Sequence, residues 1–113
     1  MNDPVALDAA FAAITETWSP VVIGELNGQQ VKAVKLQGAF HFHAHAREDE
    51  LFLVHRGELR MDFRDRSVTI KQGEFFIVPR GVEHCPVADE LTEVILFEPA
   101  STVRVGDVAD VDP

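Results

Sequence analysis

The chain has 113 residues, of which 46% are hydrophobic, and this length is typical of a single domain with a core of its own. Its formal net charge of −9 argues against nucleic acid as a partner, because such a surface repels phosphate backbones. The single cysteine, Cys85, excludes an intramolecular disulfide framework and favours a reducing compartment. The first residues lack the features of a secretion signal, and no apolar run is long enough for a membrane span. We therefore expect a cytoplasmic protein without membrane or nucleic-acid partners.

The amino-terminal segment, residues 1–19, is predicted to be helical. In the stretch "VALDAAFAAITETW", which begins at Val5, the apolar residues Leu7, Phe11 and Ile14 recur at helical spacing. The stretch is also rich in alanine, the residue with the highest helix propensity. A short amphipathic helix with one buried face is the expected result.

From Pro20 the sequence changes to short runs of β-type residues separated by turn-forming residues. The predicted strands are 21–26, 31–36, 40–45, 50–55, 58–63, 67–71, 74–78 and 92–98. Many short strands at close spacing, with no second helical pattern, are typical of an antiparallel sandwich or barrel. We assign residues 20–100 to this barrel and residues 101–113 to a loosely held carboxyl-terminal tail, all within one domain spanning 1–113.

Two kinds of strand pattern are present. In "ELRMDF" (58–63), Leu59, Met61 and Phe63 alternate with polar residues, which predicts one buried and one wet face. The runs "LFLV" (51–54) and "FFIV" (75–78) are apolar on both faces, so a second sheet or another subunit should cover them. In so small a chain we expect the second alternative, a homodimer.

Histidines are concentrated in the stretch "GAFHFHAHAREDELFLVHRG" (38–57). Since side chains alternate along a strand, His41, His43 and His45 are expected on one face. Glu50 opens the next strand and could fold back beside them, and His84 follows a turn further along the chain. A lone histidine is more often a surface or hydrogen-bonded core residue, but three imidazoles and a carboxylate in this pattern favour a transition-metal site.

The spacing of these residues resembles the two motifs of the cupin superfamily. The first motif is H-x-H, four residues, E, six residues, G; the second is G, five residues, P-x-G, two residues, H. The matching positions are His43, His45, Glu50 and Gly57, followed by Gly73, Pro79, Gly81 and His84. Two positions depart from the common pattern: Gly38 lies one residue closer to the first motif, and Ala88 stands where asparagine often ends the second.

The resemblance implies an all-β fold, an antiparallel double-stranded β-helix (a jelly-roll or cupin barrel) preceded by the short helix. It also implies one divalent ion, iron, manganese, nickel, copper or zinc, with open coordination positions. The implied metal ligands are His43, His45, Glu50 and His84. Two functions remain open: a metal-dependent enzyme acting on a small organic molecule, with oxygenase, isomerase and lyase chemistry among the choices, or a non-enzymatic module that binds or senses a small ligand.

The neighbours of the motif residues have weaker assignments. Strand parity places His41 inside the barrel as an acid–base residue that contacts a metal-bound water or substrate; the alternative is a β-bulge near Gly38 that turns it to solvent. The alternation of side chains predicts that His55 points outward, to a surface or interface. Cys85 is interpreted as a small hydrophobic residue. The chain has no tyrosine and no lysine between Gly38 and Ser67, which disfavours a tyrosine base and a phosphosugar substrate.

Overall fold

The computed structural model describes residues 3–103, Gly106 and residues 108–109. One short helix precedes strands that make up most of the described chain, and this confirms the predicted fold class. The elements are α1 (Leu7–Ala12), β1 (Val21–Leu26), β2 (Gln29–Ala39), β3 (His43–Ala44), β4 (Glu50–Arg56), β5 (Glu58–Asp62), β6 (Ser67–Lys71), β7 (Phe75–Val78), β8 (Cys85–Pro99) and β9 (Val108–Ala109). None of the helices in these ranges could cross a membrane.

The long strand β8 organises an antiparallel barrel. Its second half lies between β2 and β4, in a sheet whose order is β1-β2-β8-β4-β7. Its first half pairs with β5, which in turn pairs with β6. Because one strand belongs to both halves, the sheet closes around a common interior.

The interior follows the alternation of side chains along the strands. Leu59 and Met61 of β5 are completely buried whereas Glu58 and Arg60 are exposed, which confirms the predicted wet face. The other large members of the core are Val34, Leu36, Phe52, Val54, Ile70, Val78, Val94 and Leu96. Each fully buried Val, Leu or Phe stabilises the fold by roughly 1.5–3 kcal/mol.

The helix covers part of the barrel exterior. Phe11 and Ile14 form a second buried cluster with Ala33 and Ile95, which lie on the outer faces of β2 and β8. Leu53 of β4 packs against this cluster, so the helix supplies part of the cover predicted for "LFLV". On β7 the outward residues Phe75 and Ile77 remain 59% and 49% exposed.

Three segments differ from their predicted form. The strand predicted at 40–45 is reduced to His43–Ala44, because the β2–β8 register shifts between Leu36 and Gly38. Strand β8 begins at Cys85 rather than residue 92. Its first residues include a proline and have a low strand propensity, but they pair with β5 and are extended for that reason. In the predicted tail, β9 pairs with β3; residues 104, 105, 107 and 110–113 lie outside the described ranges.

Candidate metal centre

The two halves of the histidine pattern are joined through the backbone. The His43 amide donates to the His84 carbonyl at 3.0 Å, and the His84 amide donates to the His43 carbonyl at 2.9 Å. This reciprocal pair places the two imidazoles on adjacent backbone segments, with ring centroids 4.3 Å apart. His43 and His84, which are 41 positions apart in the sequence, therefore lie side by side.

The turn of the second motif also holds the remaining donors. The Gly81 amide donates to the His45 carbonyl at 2.8 Å. The Arg80 amide donates to Asp49 Oδ1 at 2.8 Å, and its guanidinium reaches both oxygens of the same carboxylate at 3.3 Å. Because Asp49 precedes Glu50 directly, these bonds fix the point at which β4 begins.

The glycine that ends the first motif is required by its surroundings. Gly57 has a φ of 99°, in the left-handed region, and a Cβ there would lie 2.8 Å from Thr92 Oγ1. Any larger residue would meet both backbone strain and a close contact. The turn between β4 and β5, and with it the position of β4, depends on this residue.

Four donor groups converge inside the barrel. One ligand atom from each of His43, His45, Glu50 and His84 lies within 4.8 Å of the other three, and all four residues are buried. Glu50 Oε1 is 3.2 Å from His45 Nε2 and 3.4 Å from His84 Nε2. The structure thus brings together all four residues that the motifs predicted as ligands.

Backbone carbonyls orient two of the imidazoles. His43 Nδ1 lies 2.9 Å from the His41 carbonyl, and His84 Nδ1 lies 2.9 Å from the Val82 carbonyl. A carbonyl only accepts, so each Nδ1 must carry the proton and each Nε2 keeps its lone pair. This is the arrangement in which histidine binds metals.

Several buried atoms of the cluster lack a hydrogen-bond partner among the described residues. They are His45 Nδ1, His45 Nε2, Glu50 Oε1 and His84 Nε2. An unsatisfied buried polar atom costs roughly 1–3 kcal/mol, and four in one place would be a severe penalty if nothing bound there. A cation shared by these atoms would satisfy at least three of them, so the residues fit a divalent transition-metal ion.

The charge states suit the same interpretation. Burial, opposed in part by the bond to the His41 carbonyl, lowers the pKa of His43 to about 4. Burial alone would raise the pKa of Glu50, but the adjacent imidazoles of His45 and His84 outweigh it and hold that pKa below its ordinary value. At neutral pH His43 is therefore neutral and Glu50 ionised, the forms that coordinate metals.

A cavity opens beside the cluster, and most of its wall is apolar. His43 and Glu50 line it together with Lys32 and Glu98. Its apolar lining consists of Trp18, Pro20, Val34, Leu36, Phe40, Phe52, Pro86 and Leu96. Phe40 and Phe52 contribute aromatic rings to this wall.

Glu98 and Lys32 are polar residues of the cup that the sequence analysis did not identify. Burial and the neighbouring Glu50 raise the pKa of Glu98 to about 8. The alternation of side chains along the strands could have identified both residues. Glu98 is on the same strand face as the buried Val94 and Leu96, and Lys32 is on the same face as Val34 and Leu36. Outward apolar residues on both strands concealed that alternation.

The remaining histidines lie apart from the four donors. His41 is half-buried and its ring stacks on Phe40 at 4.1 Å, with its centroid 5.3 Å from that of His43. The irregularity predicted as the alternative for His41 is present near Gly38, and the acid–base role of His41 stays a prediction. His55 lies on the barrel exterior, where its Nε2 is 2.9 Å from Asp8 Oδ1.

The two departures from the motifs face each other. Gly38 and Ala88 are register partners between β2 and β8, and Ala88 is completely buried in the core. Cys85 is also buried, and burial raises the pKa of its thiol. This agrees with its assignment as a small hydrophobe.

Similar proteins share this architecture. A crystal structure of a cupin-2 domain protein from Shewanella frigidimarina is 41% identical, covers 84% of this chain and 93% of its own, and superposes with a TM-score of 0.83. Protein NMB1881 from Neisseria meningitidis is 33% identical over 87% of this chain and all of its own length, with a TM-score of 0.80.

Among curated proteins, the uncharacterised YdbB of Bacillus subtilis is 35% identical over 63 residues, which are 55% of this chain and 56% of that protein. The chain thus matches little more than half the length of this relative. A family model described as a cupin domain matches residues 32–98, the range that contains all four convergent donors. The chain therefore belongs to the cupin domain family.

Proposed function

We propose that this protein binds one divalent transition-metal ion through His43, His45, Glu50 and His84 and acts on a small organic molecule held in the cup. The observation that carries the proposal is the convergence of four buried donors whose ligand atoms lie within 4.8 Å of one another. Several of these atoms have no partner in the described chain. A purely structural cluster would satisfy its buried polar atoms internally.

Each residue of such a site would have a separate role. His43 and His84 present Nε2 lone pairs because carbonyls hold their Nδ1 protons. Glu50 supplies the negative charge, and the apolar wall around Phe40 and Phe52 excludes water from the ligand. The ion, when bound, would supply Lewis-acid activation at its open coordination positions. Oxygenase chemistry is one reaction class that this donor set supports.

The proposal is tested with protein purified without added metal, then loaded with iron or manganese under anaerobic conditions. A screen of small organic molecules with an oxygen electrode and product analysis should find turnover that depends on the ion and disappears in His84→Ala. Binding without turnover in every metal form would replace the enzyme with the non-enzymatic binding module. Absence of metal binding would contradict both.

We also propose that the protein assembles as a homodimer through the outer face of β7. Phe75 and Ile77 are large apolar residues left 59% and 49% exposed on this face, and Leu51 is the register partner of Ile77. Light scattering at micromolar concentration should give twice the chain mass of 12.5 kDa. A mass near that of one chain would refute the assembly. The double variant Phe75→Ser with Ile77→Ser should be a monomer, with the mass of one chain.

A further inference from the structure

A lysine–glutamate pair lies inside the barrel, in the wall of the cavity that His43 and Glu50 also line. Lys32 Nζ donates to Glu98 Oε2 at 2.8 Å, and the two side chains are 14% and 2% exposed. Lys32 is the register partner of Leu96, a core residue, so its side chain starts from the inward face of β2. Both residues line the same cavity as His43 and Glu50.

The ammonium group has donor capacity that the described chain does not use. Lysine carries three N–H donors, and Glu98 Oε2 is the partner found for Lys32 Nζ among the described residues. Placing a charged group in an apolar wall is unfavourable unless it is paired and hydrogen-bonded. A cavity-lining ammonium with one carboxylate contact is therefore suited to receive a second, anionic partner.

The charge of the cup points to the same class of partner. The charged residues that line the cavity, within the described ranges, are Lys32, Glu50 and Glu98. The two positive charges of a divalent ion would exceed the single negative charge of Glu50. The charge of Glu98 can at most cancel that of Lys32. The occupied cup would thus be locally positive inside a protein of net charge −9, so an anion would be selected by short-range contacts rather than by long-range attraction.

The size of the cavity and the positions of its charged residues further restrict the class of ligand. The cavity volume is about 50 Å³, which at roughly 10–15 Å³ for each water centre holds about four waters. Glu98, which pairs with Lys32, lines the same cavity as Glu50. A ligand of a few carbons could therefore reach from the ammonium to the metal side of Glu50.

We infer that Lys32, positioned by Glu98, binds a carboxylate of a short-chain organic acid whose second oxygen group faces the metal ion. This inference rests on the proposed metal site and names the substrate class for it. Carboxylate binding by an ammonium group is a charge-assisted contact, and it discriminates strongly against a neutral analogue because the buried donor is then left unpaired. We therefore expect short dicarboxylates to bind in the cup more tightly than their diamides, which have nearly the same size but carry no charge.

The test is titration calorimetry of the zinc-loaded protein with succinate and with succinamide. Wild-type protein should bind succinate at least about 10-fold more tightly than succinamide, and Lys32→Met should weaken succinate binding about 10-fold or more. The double variant Lys32→Met with Glu98→Gln leaves no unpaired carboxylate in the cavity and should show the same loss. It keeps the test valid if the single variant does not fold.

Lys35→Met is the matched control. Lys35 lies on the same strand, but its ammonium donates to the Ile14 carbonyl at 2.9 Å, at the helix side of the barrel. The control removes the same charge and should bind succinate as wild type does. Zinc content is measured for every variant.

Three outcomes would overturn the inference, and metal content separates the first two from the third. Unchanged succinate affinity in the zinc-loaded Lys32 variants, or no preference for succinate over succinamide in wild-type protein, would remove Lys32 from ligand binding and leave the metal site standing. Failure of wild-type protein to hold zinc would overturn the proposed function and this inference with it.

Discussion

Two clusters of histidine and carboxylate groups lie on opposite sides of the barrel wall. The inner cluster contains His43, His45, Glu50 and His84, all buried. The outer cluster contains Asp8, His55, Arg56 and Glu93 and joins helix α1 to strands β4 and β8.

The clusters differ in how their polar atoms are satisfied. In the outer cluster, Asp8 Oδ1 receives both His55 Nε2 and an Arg56 nitrogen at 2.9 Å, and the His55 ring stacks on Phe11. In the inner cluster, the Nε2 atoms of His45 and His84 lie 3.2 and 3.4 Å from Glu50 Oε1, yet none of these three atoms has a hydrogen-bond partner among the described residues. Residue composition alone would not separate a site that fastens a helix from a site that binds a ligand. The number of buried polar atoms without a hydrogen-bond partner does: among the described residues the outer cluster has one, Glu93 Oε1, and the inner cluster has four.

The largest effect is expected from Glu50→Gln, which keeps the shape of the side chain and removes its charge. A neutral amide is a poor ligand for transition metals, so metal affinity should fall by more than the roughly 10- to 100-fold typical of losing a supporting group. Competition with a metal chelator measures it. Glu93→Gln makes the same change in the outer cluster and should leave affinity unaltered; equal losses in both variants would break the distinction between the clusters.

Acid should destabilise the metal-free protein through His43. Its pKa in the folded chain is lowered from 6.5 to about 4, so the unfolded chain binds more protons between these values and stability falls as pH decreases through that range. The contribution present above pH 6.5 is on the order of 3 kcal/mol.

Chemical denaturation in the presence of a chelator, at several pH values, measures this dependence. His43→Gln should show a flatter profile between pH 6.5 and 4. His55→Gln retains His43 and should keep that residue's contribution. A wild-type profile that is level across the range would mean that His43 is not held neutral by burial.

The smallest effect is expected from Asp8→Asn. The Asp8 side chain is 71% exposed, and exposed ion pairs contribute little to stability. Melting temperature should change only slightly, and metal content should stay at the wild-type level. A loss of metal in this variant would show that the outer cluster controls the inner one, contrary to the separation seen in the structure.

The sequence predicted the inner cluster well because each of its members belongs to a motif of fixed spacing. His43, His45, Glu50 and His84 were all identified before their convergence was visible. Strand existence was also predictable from β-type runs and turn residues, whereas the start of β8 at Cys85 depends on pairing with β5, a long-range contact.

The sequence did not predict Lys32 and Glu98 as residues of the cup. They occupy inward positions on strands that are apolar on both faces, so the alternation of side chains gave no clear signal, and both residues lie outside the two motifs. The pairing of β2 with β8 was needed to bring them together. The outward half of the same strands is explained by helix α1, which covers Ala33 and Ile95.

The most direct test of the inner cluster is metal content per chain, measured by elemental analysis after equilibration with one divalent ion. Wild-type protein and His55→Ala should each bind close to one ion, whereas His43→Ala and His84→Ala, shown to be folded by circular dichroism, should bind far less. Full occupancy in both of the latter variants would contradict the assignment of these histidines as metal ligands.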